Sequence, residues 1–202
     1  MTTTTAPRHT RARLLAAGVA VGVVVVAVVV VLRVTGERTV PYEDARSSGL
    51  LTLCSADGEP VTEGRVDDRP LAAFALGETG LPAEYDSEGT VATLFAYQPR
   101  EGIEAGEFSG VPLTAAGLVS DPVEPAVEIT EDVWSVSDFT TAFPATLDGY
   151  VQLRLVLGTP GAGTLTENPY DTADLRVDGD SWELVRGGDA SCAGAADLVS
   201  SP

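Results

Sequence analysis

The chain has 202 residues, with thirty acids, twelve arginines, no lysine and one histidine, for a net charge of −18. All thirty acids but only eight arginines fall after residue 34, so that part carries −22, which makes nucleic acid and anionic membrane surfaces poor partners. The one histidine is His9, so everything beyond the N-terminal segment lacks the residue needed for Ser-His-Asp or Cys-His catalysis and for the usual zinc sites.

Residues 1–13 carry Arg8, Arg11 and Arg13 and no acid, the pattern of a tail kept on the cytoplasmic side. Residues 14–32 read LLAAGVAVGVVVVAVVVVL, with ten Val and no charged side chain. As a helix this run is about 28 Å long, close to the hydrocarbon thickness of a bilayer. It predicts a single transmembrane helix, lipid-embedded, with the C-terminal bulk outside the cytoplasm. A cleaved signal peptide has a shorter apolar region and a small-x-small site; here only Val34-Thr35-Gly36 offers one, and poorly. Gly18 and Gly22 form a GxxxG spacing of the kind that lets two helices pair closely, and mark the candidate face for a homodimer.

Residues 33–48 read as a polar juxtamembrane linker. Residues 49–54 (GLLTLC) predict a first strand, 61–66 a weak second one, and 71–76 (LAAFAL) a short buried one. Residues 77–89 are rich in Gly and acids and predict a loop. Thr90–Tyr97 predicts a strand apolar on both faces, with Val91, Thr93, Phe95 and Tyr97 on one side and Ala92, Leu94 and Ala96 on the other. Residues 98–110 carry Glu101, Glu104 and Glu107 at a helical spacing, but Gly102 and Gly106 favour a solvated loop. Residues 111–119 and 127–136 predict further strands. Tyr150–Leu157 alternates well, and 172–177 and 180–185 flank Asp178-Gly179 as a hairpin with a type I′ turn.

Short runs separated by turns, with no sustained helical period, predict an all-β fold: a β-sandwich over residues 49–193, with an open barrel second. Residues 194–202 read as a flexible tail. Cys54 and Cys192, both outside the cytoplasm on this topology, are expected to form one disulfide across the domain.

Functional motifs are few. The run from Gly158 to Gly163 has the glycine spacing of a phosphate loop but lacks the following Lys and reads as a turn. Trp134 and Trp182 read as packing residues rather than ligand platforms. Asp174, Asp178 and Asp180, with Asp189 nearby, are the candidate ligands for calcium, which takes oxygen donors; the calcium-loop motif is missing, and turn chemistry explains the hairpin acids equally well. No pair of carboxylates stands out for acid–base catalysis. The expectation is therefore a membrane-anchored, non-catalytic extracytoplasmic module without a resident cofactor that contacts an envelope protein or surface. A calcium-binding or accessory domain of an envelope enzyme or transporter is the alternative.

Overall fold

The computed structural model describes residues 1, 39–83, 89–121 and 123–199, and its large compact unit is Thr39–Pro202. The basic tail, the apolar run 14–32 and the Gly18/Gly22 spacing lie outside the described residues. Among the described residues no helix is long and apolar enough to cross a membrane.

The described chain is mostly β. Its strands are β1 (Ser47–Cys54), β2 (Glu63–Arg65), β3 (Phe74–Gly77), β4 (Val91–Gln98), β5 (Ser109–Pro112), β6 (Gly117–Leu118), β7 (Ala126–Glu128), β8 (Tyr150–Thr159), β9 (Gly163–Thr164), β10 (Tyr170–Asp178) and β11 (Ser181–Arg186), with helix α1 at Val136–Ala142. The main hydrogen-bonded order is β5-β4-β8-β10-β1-β3-β7. β11 pairs with β10 and β2, while β6 and β9 flank β4 and β8. β1 links β10 to β3 within this path. Ser47–Leu50, with a bulge between Ser47 and Gly49, runs parallel to β10, and Leu51–Cys54 runs antiparallel to β3.

The period-2 alternation sets the two faces of the centre. Leu94 stands opposite Leu155, and Ala96 opposite Leu153, in the β4–β8 ladder. Leu153 stands opposite Ala173, and Val151 opposite Leu175, in the β8–β10 ladder. These residues join Leu51, Leu53, Ala75, Val127 and Phe139 in one apolar cluster. The expected split of β4 into two faces is observed.

The opposite face is also covered, which alternation alone does not reveal. Gln152 is fully buried and Arg154 is 2% exposed, because the segment ahead of β1 and the 3₁₀ turn Ala105–Glu107 lie over them. Residues 42–48, expected as linker, are thus part of the fold. So is the start of the expected flexible tail. Ala195–Leu198 forms a 3₁₀ turn, Val199 bridges to Val119, and Ala195 packs with Cys54, Phe74 and Cys192.

Two further expectations are corrected. The predicted strand 127–136 ends at Glu128, and α1 follows. Ser135 caps α1 in a reciprocal box: its hydroxyl accepts from Asp138 N–H, and Asp138 accepts from Ser135 N–H. In the β10–β11 hairpin Asp178 pairs with Ser181, so the central residues are Gly179 and Asp180. Gly179 alone has positive φ, 58°, the pattern of type II′ rather than I′. The disulfide forms as expected: Cys54 and Cys192 are bonded, with Cα atoms 5.5 Å apart across 138 residues of sequence.

Candidate functional site

Two buried polar sites lie on opposite faces of the β8–β10 centre. The first belongs to the segment before β1. Tyr42 donates its hydroxyl proton to Asp174 Oδ1, and Arg186 Nε–H donates to Asp174 Oδ2 at 2.5 Å. Two residues further on, Asp44 accepts from the Tyr170 hydroxyl at 3.1 Å and pairs with Arg154 at 3.5 Å. Arg154 Nε–H also donates to Gln152 Oε1, and Nη2–H to Ala105 O, both at 2.7 Å. Its guanidinium lies 3.9 Å from the Tyr97 ring centroid and 4.7 Å from that of Tyr170. Contacts of this kind, kept from water, contribute up to about 2 kcal/mol.

The backbone before β1 bends at Pro41 and Tyr42 and turns at Ala45 and Arg46, where Ser47 N–H donates to Asp44 O. This path brings Tyr42 to Asp174 and Asp44 to Arg154 and Tyr170. Burial raises the Tyr42 hydroxyl far above its ordinary value, helped by the Asp174 charge. Burial likewise pushes Tyr170 up to about 12, against the pull of Arg154. Asp174 is raised as well, since its burial outweighs Arg186 and the Tyr42 hydrogen bond. Every charge here has a partner inside the fold. The arrangement fastens the entering chain to the sheet.

The second site centres on Asp171. This residue stands opposite Leu155, on the apolar face, and is 2% exposed. Thr79 N–H donates to its Oδ2 at 2.8 Å, while Oδ1 has no hydrogen-bond partner. Burial raises its pKa, opposed by Thr79 and the Glu78 backbone and reinforced by the Glu78 charge. Two glycines make room for the carboxylate. A Cβ at Gly49 would overlap Oδ1, and one at Gly77 would overlap Oδ2. Asp171 also lines a cavity of about 150 Å³, together with Leu81, Pro125, Leu155, Leu157 and Leu165. Ser48, Thr79 and Asn168 are among the residues lining the same cavity. A larger, open cleft of about 620 Å³ lies along β2 and the β10–β11 hairpin. Its walls mix both charges, Glu63 and Asp68 against Arg65 and Arg176.

The candidate calcium ligands are not brought together. Asp174 is tied to Tyr42 and Arg186 in the interior. Asp178 ends β10 at the hairpin tip, with Asp180 in the turn, about 13 Å along the strand from Asp174. No group of three metal-ligand residues occurs among the described residues, Asp189 included. Trp182 is buried at 2% exposure, whereas Trp134, expected as packing, is 42% exposed. Sequence reasoning missed Tyr42, Asp44, Arg154 and Asp171. The available signal was the placing of Arg154 inside an otherwise mostly apolar run.

Compared with known proteins, the chain matches no family model, no curated protein and no solved structure.

Proposed function

We propose that the protein is a single-pass, membrane-anchored module whose acidic β-domain stands outside the cytoplasm and makes non-catalytic contacts with another envelope component. The observation that carries this reading is the Cys54–Cys192 disulfide, a bond that persists in oxidising compartments and is rare in the cytosol. It agrees with the basic tail ahead of the apolar run 14–32, which calls for an inside N-terminus. The described strands are read as a sandwich. Leu51, Leu53, Ala75 and Val127, on β1, β3 and β7, share one apolar cluster with residues of β4, β8 and β10, as two facing layers would.

Asp44 with Arg154 and Asp174 with Arg186 satisfy one another inside the fold, which suits a contact role better than chemistry. Exposed Val123 and Trp134, at 69% and 42%, are natural positions for such contacts. Two measurements test the reading. In intact cells a membrane-impermeant maleimide should label a cysteine placed at exposed Val123 (Val123→Cys), and the protein should stay with membranes washed in high salt. Labelling only after lysis, or release by salt, would overturn the topology. A photo-crosslinking side chain at Trp134 or Val123 should give a discrete heteromeric adduct in intact membranes. Monomer alone from both positions would overturn the contact role.

A further inference from the structure

We propose that the cavity beside Asp171 binds a primary ammonium group carried on a short alkyl chain. A buried carboxylate oxygen without a hydrogen bond is rare and costly in a folded protein, and Oδ1 of Asp171 is one. Asp171 lines a space the fold leaves unfilled, walled by aliphatic side chains from three separate stretches, including Leu81, Leu155 and Leu165. A ligand that completes this site needs an apolar body for the walls and a cationic hydrogen-bond donor for the carboxylate.

Size narrows the choice. An apolar cavity of this volume holds a molecule of benzene's size, about six heavy atoms, and the cavity here measures about 150 Å³. A butylammonium ion fits that limit. The compact ammonium has three donors, and Ser48, Thr79 and Asn168 line the same cavity as Asp171, so residues with acceptors beyond the carboxylate are at hand. A planar guanidinium with five donors would leave several unpaired. The net charge of −22 after residue 34 raises the local concentration of any cation.

Gly49 and Gly77 support the same reading, because each lacks a Cβ where one would displace the carboxylate. The ammonium can come from a free aliphatic amine or from a lysine side chain. The chain itself contains no lysine, so a lysine would be another protein's. The proposal does not depend on the membrane topology, and its failure would leave the labelling results above untouched.

The test uses the full chain in detergent micelles at pH 8 and constant ionic strength, titrated with n-butylammonium and followed by amide NMR. Saturable shifts at Thr79, Leu165 and Asp171 are expected in the millimolar range, with n-butanol at least about tenfold weaker and butyrate inert. Asp171→Asn should lose at least about tenfold in ammonium affinity while keeping the weak butanol response. Leu165→Trp, which fills the cavity without touching the carboxylate, should abolish both. No saturable shift with n-butylammonium, or equal affinity in Asp171→Asn, would overturn the proposal. A blocked lysine, Nα-acetyl-lysine-N-methylamide, separates the sources. Binding like that of butylammonium assigns the site to a protein lysine, and binding of the free amine alone assigns it to a small amine.

Discussion

Asp171 and Asp174 stand three residues apart on β10, on opposite faces of the same sheet, and both are sealed from water. Asp174 holds Tyr42 with one oxygen and Arg186 with the other. Asp171 has a donor on one oxygen and nothing on the other, beside an unfilled cavity. The difference separates two uses of a buried charge. At Asp174 the charge organises the fold, fixing where the N-terminal segment enters. At Asp171 the fold accommodates the charge with two glycines and gains no evident structural contact from the free oxygen.

The comparison breaks most sharply if Asp174 can be removed cheaply. Asp174→Ala leaves Arg186 and the Tyr42 hydroxyl without their shared acceptor, and losing one partner of a buried pair costs about 3–5 kcal/mol. A fall in Tm of on the order of 10 °C is expected for a domain of this size, read by circular dichroism. An unchanged Tm would mean that the pair contributes nothing net. Tyr42→Phe is the milder version. It removes one hydrogen bond to a charged group, worth about 1.5–3 kcal/mol, and keeps the ring against Phe108, where the two centroids lie 5.4 Å apart. Amide exchange at residues 42–46 should quicken more than at β4. Uniform exchange across both regions would show that the segment is not held through Tyr42.

Much of the fold was legible because period-2 alternation reports burial directly. β4, β8 and the β10–β11 hairpin could be read from it, and the disulfide followed from having two cysteines on one side of the presumed membrane. What escaped depended on contacts between distant residues. Arg154 looks like the polar side of an edge-facing strand until the segment around Asp44 folds over it. Residues 136–142 contain Ser and Thr in place of a clear apolar stripe, so only the Ser135–Asp138 box marked a helix. The candidate site was hidden for the same reason. Asp171 precedes Thr172 and Ala173 in a β-forming run, and no local pattern distinguishes it from any of the other acids; only the pairing with Leu155 places it on the apolar face.

Asp171→Asn sharpens the comparison from the other side, with a smaller effect of opposite sign. The folded-state pKa of Asp171 is raised, chiefly by burial and also by the Glu78 carboxylate, whose Oε2 accepts from Leu50 N–H. The nearest basic side chain of the adjoining strand, Arg154, is opposite Thr172 and therefore belongs to the other face. Between the unfolded value near 4 and the raised folded value, the native protein holds a proton that the unfolded chain has released. Stability attributable to Asp171 is thus full in acid and is lost as pH rises through that window. Asparagine can still accept from Thr79 N–H and carries no charge, so the variant should match the wild type near pH 4. By pH 8 it should exceed the wild type by on the order of 1 kcal/mol, measured as a Tm difference that opens with pH. Asp174, raised in the same direction, remains in both proteins and cancels from the difference. A variant less stable than the wild type at pH 8 would show that the Asp171 charge is already neutralised inside the fold, and would remove the reason for expecting a cation beside it.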